Sequence, residues 1–199
     1  METNDTEKTH IYRTSIWRSL LPITTIERIG NRGELNWFNS DVQIHLKPLT
    51  KQIKLKAIRY SFDKKNWKRY VEPFTVSHEG ITTLYYYGID YKNKHETINK
   101  VEIKIDKESP KTEARLLGKK DDDGFYTSCV QVELSVTSDP LKSGLKTTEY
   151  SLDGEAFSIY LRPFYIEEMG ITRIYYRSVD LAGNKEQVKE LIIKIKALL

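Results

Sequence analysis

Residues that could do chemistry are few and scattered in this chain. The four histidines, His10, His45, His78 and His95, lie far apart, and no nucleophile elbow, zinc-protease motif, phosphate-binding loop or dinucleotide fingerprint occurs. A catalytic site needs a nucleophile beside a base, facing carboxylates or clustered metal ligands. We therefore expect a protein that is not an enzyme, with no catalytic residue, no metal and no cofactor.

Two local features still invite a chemical interpretation. The run Asp121-Asp-Asp-Gly124 offers carboxylates to calcium, but it lacks the spaced Asp-x-Asp-x-Asp array of an EF-hand. A solvated acidic turn is therefore favoured over a calcium site. Cys129 is the single cysteine, which excludes an intrachain disulfide, and no His or Lys lies beside it. We expect a small, partly buried side chain rather than a reactive thiol.

Positive charge is the strongest signal of a partner. Residues 22–109 hold 16 Lys and Arg against 11 Asp and Glu, whereas residues 110–199 hold 13 against 14. The excess forms a candidate anionic-ligand face, which consists of Lys54, Lys56, Arg59, Lys64, Lys65, Lys68 and Arg69. Such a stripe could hold an anionic glycan, a wall polymer or nucleic acid. Lysines that block edge-to-edge sheet pairing are the alternative, and we favour this structural interpretation.

Aromatic residues fall into two classes by strand parity. Tyr85 and Tyr175 have outward parity and are candidate exposed platforms for sugar rings, although packing against neighbouring strands is favoured. Trp67 and Phe157 follow equivalent turns and are expected to be core lids. The aromatic and aliphatic residues with inward parity are expected in the core: Tyr60, Phe62, Phe74, Tyr86, Tyr150, Leu152, Phe164 and Tyr176.

The elements that position these residues come from an internal repeat. Pro22, Thr24 and Gly30 recur 88 residues later, and the offset then becomes 90 until the chain ends. Residues 60–106 and 150–196 share 16 identities in 47 positions. We therefore expect an N-terminal extension over 1–21 with no counterpart, a first domain over 22–109 and a second over 110–199.

Each repeat alternates apolar and polar residues with the period of a half-buried strand. Val130, Val132, Leu134 and Val136 alternate with polar neighbours, and turn residues separate such runs. About seven short strands in each repeat, with turns every 8 to 12 residues, predict an antiparallel β-sandwich. The fold class is therefore all-β.

Several segments of the second repeat resemble a known family. Tyr150-Ser-Leu-Asp-Gly154, Tyr160-Leu-Arg-Pro-Phe164, the strand from Gly170 to Asp180 and Ala182-Gly-Asn184 are similar to the bacterial immunoglobulin-like repeat. That repeat occurs in tandem in cell-surface proteins, including leptospiral outer-membrane-associated proteins, and as spacer modules of secreted glycoside hydrolases. The resemblance covers both repeats and implies two tandem immunoglobulin-like sandwiches. The first repeat departs from the pattern in its loops, where Asp90-Tyr-Lys-Asn-Lys94 replaces the Asp-x-Ala-Gly-Asn turn.

These observations lead to ranked expectations of function. We expect a non-catalytic spacer or adhesion element at a bacterial cell surface or outside the cell, with a protein or polysaccharide as partner. The alternatives are a module that binds an anionic glycan or wall polymer through the basic face, and an accessory domain of a secreted carbohydrate-active enzyme. Few arginines and no recognition helix argue against sequence-specific nucleic-acid binding.

The sequence also bears on location and assembly. No apolar run approaches the length that crosses a bilayer, so we expect no transmembrane segment, and we expect a monomer. The first residues show no basic and apolar leader. Either the protein is cytoplasmic, or a leader or a larger parent chain has been trimmed away.

Overall fold

The computed structural model describes residues 23–49, 51, 54–137 and 142–196, and every regular element in these ranges is a β-strand. The predicted all-β class is confirmed. The expected N-terminal extension, 1–21, lies outside the described residues. No described segment forms a helix long and apolar enough to cross a membrane.

Eight strands arise from the first repeat. They are β1 (Thr24–Ile29), β2 (Trp37–Phe38), β3 (Val42–Pro48), β4 (Leu55–Ser61), β5 (Lys68–Arg69), β6 (Phe74–Val76), β7 (Gly80–Asp90) and β8 (Asn99–Ile105). One sheet has the order β1-β3-β6, and the other has the order β2-β8-β7-β4-β5. The pairings of β3 with β1 and β6, and of β4 with β5 and β7, are antiparallel, whereas the short contact of β2 with β8 is parallel.

Seven strands arise from the second repeat. They are β9 (Thr112–Leu117), β10 (Val130–Val136), β11 (Leu145–Ser151), β12 (Ser158–Ile159), β13 (Phe164–Ile166), β14 (Gly170–Asp180) and β15 (Lys189–Ile195). Their sheets have the orders β13-β10-β9 and β12-β11-β14-β15. A parallel bridge from Tyr126 to Ile195 stands where the first repeat has β2.

The strands of the two repeats match at the offsets seen in the sequence. β9 and β10 follow β1 and β3 by 88 residues, and the five later strands follow their counterparts by 90. Both long central pairs carry the same irregularity, between Leu55 and Ala57 and between Leu145 and Thr147. With β2 set aside, one sheet joins the first, second and fifth strands of a repeat, and the other joins the third, fourth, sixth and seventh. This is the two-sheet arrangement of an immunoglobulin-like sandwich, with the fourth strand paired to the third.

Contacts between Cα atoms divide the chain into two compact units. The described parts of unit 1 lie in 23–29, 42–76 and 82–103, and those of unit 2 lie in 30–41, 77–81 and 104–196. Units 1 and 2 keep these definitions below, and each is described by itself. The predicted domain boundary near residue 109 stays a prediction.

Each unit has its own apolar interior, built by the inward side chains of alternating strands. In unit 2, the fully buried Val130, Val132, Ile174 and Ile193 pack with Tyr176 in one cluster. The core residues of unit 1 include Ile44, Leu46, Ile58, Leu84 and Ile103. Period-two patterning therefore predicts the core of both units where the strands are long.

Two of the predicted core residues are not in the core. Phe62 is 43% exposed and its counterpart Leu152 is 55% exposed. Strands β4 and β11 end one residue earlier, at Ser61 and Ser151, so strand parity no longer applies to the next side chain. Phe62 instead lies edge-on against Phe74, with ring centroids 6.1 Å apart.

A buried glutamate fastens the first strand of each repeat, a feature that parity does not predict. In unit 1, the Glu96 carboxylate accepts hydrogen bonds from the backbone N–H groups of Thr24, at 3.0 Å, and Gly88, at 2.7 Å. In unit 2, Glu186 accepts from the N–H groups of Thr112, at 2.9 Å, and Ser178, at 3.1 Å. These bonds satisfy buried donors and hold β1 and β9 in place.

Candidate functional site

The candidate site is the outer face of the sheet in unit 1, where β7 carries three partly exposed residues. Tyr85, Tyr87 and Ile89 alternate along β7 with side chains that point into the core. Arg59 on β4 pairs with Tyr87 on one side and with Arg69 of β5 on the other. Residues that pair directly across antiparallel strands share a face, so the side chains of Tyr87, Arg59 and Arg69 lie side by side on the outer surface.

The turn after β4 is organised by the carboxylate of Asp63. This group accepts hydrogen bonds from the backbone N–H groups of Asn66 and Lys65, both at 2.8 Å, and from the Ser61 hydroxyl at 2.8 Å. The N–H groups of Asn66 and Lys65 and the Ser61 hydroxyl hold the pKa of Asp63 well below its usual range. The side chain is therefore committed to the turn and is not a free anion beside the basic residues.

The turn places side chains over the tyrosine row. Lys64 adopts a left-handed φ of 60° and sets its Nζ atom 4.6 Å from the centroid of the Tyr85 ring. Trp67 meets Tyr87 edge to face, with centroids 4.8 Å apart, and donates its indole N–H to the Lys64 carbonyl. The prediction that Trp67 is a core lid is wrong, because its contact residue Tyr87 points to the outer face.

Basic residues line a shallow depression at the other end of this row. It is bounded by Lys56, Arg59, Arg69, Ala57, Ile89 and Asn93. The irregularity between Leu55 and Ala57 sets Lys56 outside the regular pairing, and its Nζ atom donates to Asn93 Oδ1 at 2.7 Å. Within the described residues, Lys56, Arg59 and Arg69 make no ion pair. The depression is thus rich in cations that lack a carboxylate.

The structure brings together only part of the predicted basic face. Lys56, Arg59 and Arg69 meet at the depression, and Lys64 lies further along β7 over Tyr85. Lys68 pairs with Tyr60, so it projects from the opposite side of the sheet at its edge. Lys54 and Lys65 are exposed on either side, before β4 and within the turn. Parity had already placed Tyr85 outward, and the same rule would have identified Tyr87.

On the equivalent face of unit 2, an arginine is paired with a glutamate. Arg177 occupies the position of Tyr87, and its Nε atom contacts Glu149 Oε1. Its guanidinium also lies 4.2 Å from the centroid of the Phe157 ring. The pairing partner of Glu149 on β12 is the uncharged Ile159. Phe157 is therefore part of the outer surface, like Trp67, and its prediction as a core lid is wrong.

The two candidate platforms are half-buried. In unit 1, the Lys64 ammonium lies over Tyr85. In unit 2, the Tyr175 ring lies so close to Gly154 that an added Cβ there would sit 3.2 Å from the ring. Both contacts come from turns, after β4 and after β11, and not from neighbouring strands. Binding of sugar rings by Tyr85 and Tyr175 stays a prediction.

The remaining chemical candidates are explained by ordinary contacts. The Lys196 ammonium pairs with Asp121 and lies 3.5 Å from Asp123. The described residues contain no group of three or more His, Cys, Asp or Glu that could hold a metal ion. Cys129 is exposed, so the prediction of a partly buried side chain is wrong. It lies just before β10 begins at Val130, so the alternation of the strand does not bury it.

Comparison with known proteins returned distant structural neighbours. The chain is similar to the fibronectin(III)-like modules of Clostridium thermocellum CbhA, with a TM-score of 0.43, 11% identity and coverage of 88% of this chain and 95% of that one. It is also similar to a structure that bears on the host cell surface retention of a 1.5-MDa bacterial ice-binding adhesin, with a TM-score of 0.40 and 8% identity. That match covers 89% of this chain and 66% of the other. No family model and no curated protein matches the sequence.

Proposed function

We propose that this chain is a non-catalytic module of two immunoglobulin-like sandwiches that serves as a spacer or adhesion element at, or outside, a bacterial cell surface. The observation that carries the proposal is the repetition of one strand frame at fixed offsets. A repeated, self-contained sandwich extends a chain without needing chemistry of its own. Membership of the bacterial immunoglobulin-like repeat family is part of this proposal.

A spacer must resist pulling at its first and last strands, and unit 2 has contacts suited to that load. The first strand of the second repeat, β9, pairs with β10 from Thr112 opposite Val136 to Leu117 opposite Gln131. The Glu186 carboxylate adds bonds to the start of β9, at the Thr112 N–H and hydroxyl. Peeling β9 away therefore breaks a backbone ladder and a buried polar cluster together, which makes the strand costly to detach.

Stretching the full chain in a single-molecule force experiment tests this role. We expect two separate unfolding events, each releasing roughly 85 to 90 residues and therefore about 30 nm of extended chain. The Glu186→Ala variant is expected to lower the force of one event and leave the other unchanged. A single event that spans both repeats, or extension without a measurable force peak, would contradict the spacer role.

A further inference from the structure

We propose that the outer face of the sheet in unit 1 binds an acidic polysaccharide, with Arg59 and Arg69 receiving its sulfate or carboxylate groups. This inference goes beyond the spacer role and does not depend on it. It rests on four observations: two arginines that oppose each other, a greater positive charge than at the equivalent positions of unit 2, a strained lysine and a linear arrangement of cations.

The first observation is the direct pairing of two arginines. Arg59 and Arg69 stand opposite each other on β4 and β5, and neither makes an ion pair within the described residues. Like charges at directly opposite positions destabilise a sheet. The nearby Asp63 carboxylate is occupied by the turn. An external anion is therefore the partner that would relieve the repulsion.

The second observation is the comparison with equivalent positions in unit 2, which share the same strand register. Four cations on or beside this face are replaced there by two carboxylates and two uncharged residues, whereas Lys56 is matched by Lys146; the four pairs are Arg59 and Glu149, Lys64 and Gly154, Lys65 and Glu155, and Arg69 and Ile159. The frame is thus compatible with a face that has no excess positive charge. The basic residues in unit 1 are not required by the fold.

The third observation is the backbone of Lys64. Its φ of 60° lies in the left-handed region, where the second repeat has Gly154 at 81°. A residue with a Cβ pays about 1 to 2 kcal/mol for this conformation. Strain of this kind persists where the side chain has a use, and here it sets an ammonium on the outer face over Tyr85.

The fourth observation is the line along which the cations lie. From Tyr85, under Lys64, to Ile89, beside Lys56, β7 advances four residues, or roughly 13 Å. Cations therefore flank both ends of the row, with the arginine pair between them. This arrangement suits a linear polymer that presents an anionic group at regular intervals, and guanidinium forks bind carboxylate and sulfate-like oxygens in pairs.

The aromatic side chains favour a polysaccharide over single-stranded nucleic acid. Binding of a single strand relies on aromatic faces on which successive bases stack. Here the Tyr85 ring is covered by Lys64, and Trp67 is held edge to face against Tyr87 with its N–H bonded to a carbonyl. An acidic sugar polymer needs only the cations.

Binding of labelled oligosaccharides to the full chain, measured by fluorescence anisotropy, tests the proposal. The probes are a heparin octasaccharide for sulfate, an oligogalacturonate for carboxylate, a neutral dextran oligomer and a 20-nucleotide DNA in single- and double-stranded form. We expect binding to at least one acidic oligosaccharide and none to dextran. For about three ionic contacts, raising salt from 50 to 200 mM should weaken binding roughly 10- to 100-fold.

Variants separate this face from net charge. Arg59→Gln with Arg69→Gln should weaken binding at least about tenfold, because two charge-assisted contacts are lost. The matched control is Lys185→Gln with Lys194→Gln, two exposed lysines of unit 2 that make no ion pair in the described structure. It should bind like the unaltered chain, and circular dichroism should show both variants folded.

Several results would overturn the inference. Failure of both acidic oligosaccharides to bind would do so, as would equal losses in the arginine variant and the lysine control. Tighter binding of either DNA form than of both oligosaccharides at the same salt would assign the face to nucleic acid instead. Because none of these measurements depends on force, the spacer role and the polysaccharide site can fail separately.

Discussion

Removing the Glu186 carboxylate should destabilise unit 2 strongly, because this one group accepts several hydrogen bonds. The group is buried and accepts the N–H groups of Thr112 and Ser178, the Thr112 hydroxyl at 2.5 Å and the Lys189 ammonium at 2.6 Å. In Glu186→Ala, both buried N–H groups lose their acceptor, at about 1 to 3 kcal/mol each, and Lys189 loses its counter-ion. We expect a loss of about 3 to 5 kcal/mol.

A loss of this size is measurable by calorimetry. At about 4 to 8 °C per kcal/mol for a domain of this length, even 3 kcal/mol should lower the melting temperature of unit 2 by roughly 12 to 24 °C. The control is Glu190→Ala, which breaks an exposed ion pair with Arg173 and should cost less than about 1 kcal/mol. If Glu186→Ala costs no more than Glu190→Ala, the buried carboxylate does not hold β9.

The same carboxylate predicts an acid dependence. Burial of Glu186 opposes ionisation, but the Lys189 ammonium and the Thr112 donors outweigh it and hold the pKa below its ordinary value of 4.5. A depressed folded-state pKa stabilises the fold above the unfolded-state value, and this stabilisation is lost as pH falls through the folded-state pKa. The difference in stability between the unaltered chain and Glu186→Gln should therefore shrink as the pH drops below about 4.5.

Two further substitutions test the outer faces of the units. Lys64→Gly should raise the free energy of unfolding of unit 1 by about 0.5 to 1 kcal/mol in urea denaturation, because it relieves a left-handed φ. The same variant should bind an acidic oligosaccharide more weakly. A loss of stability would show that the contact of Lys64 with Tyr85 contributes more than the strain costs. In unit 2, a double-mutant cycle of Arg177→Gln and Glu149→Gln should give an interaction free energy of about 1 kcal/mol, since the two side chains are only about one-fifth exposed. An interaction free energy near zero would mean that the ion pair does not stabilise unit 2.

The fold could be predicted closely from the sequence because its signals are local and repeated. Alternation along β10 and β14 places Val132 and Ile174 in the core, and both are fully buried. The rule fails where a strand stops, as at Phe62 and Leu152, because the turn and not the pleat then sets the side-chain direction. The end of a strand depends on hydrogen bonds that parity does not record.

Buried polar residues were harder to predict, because their partners lie far away in the chain. Glu96 and Glu186 are identical at an offset of 90, yet each bonds to a strand more than 70 residues earlier. The outer face of unit 1 was partly predictable from its charge. Its arginine pair was not, because the opposition of Arg59 and Arg69 depends on the register of β4 with β5.

The outer faces of the two units differ in charge, and the face of unit 1 is the more positive. An outer surface that only has to be soluble is satisfied by a compensated pair such as Arg177 and Glu149. Unit 1 has instead two opposed arginines, which cost stability on their own. If the two arginines repel each other, removing their charges should stabilise unit 1. Arg59→Gln with Arg69→Gln is therefore expected to melt at or above the temperature of the unaltered chain while it loses polyanion binding, and a lower melting temperature would show that the arginines stabilise the sheet.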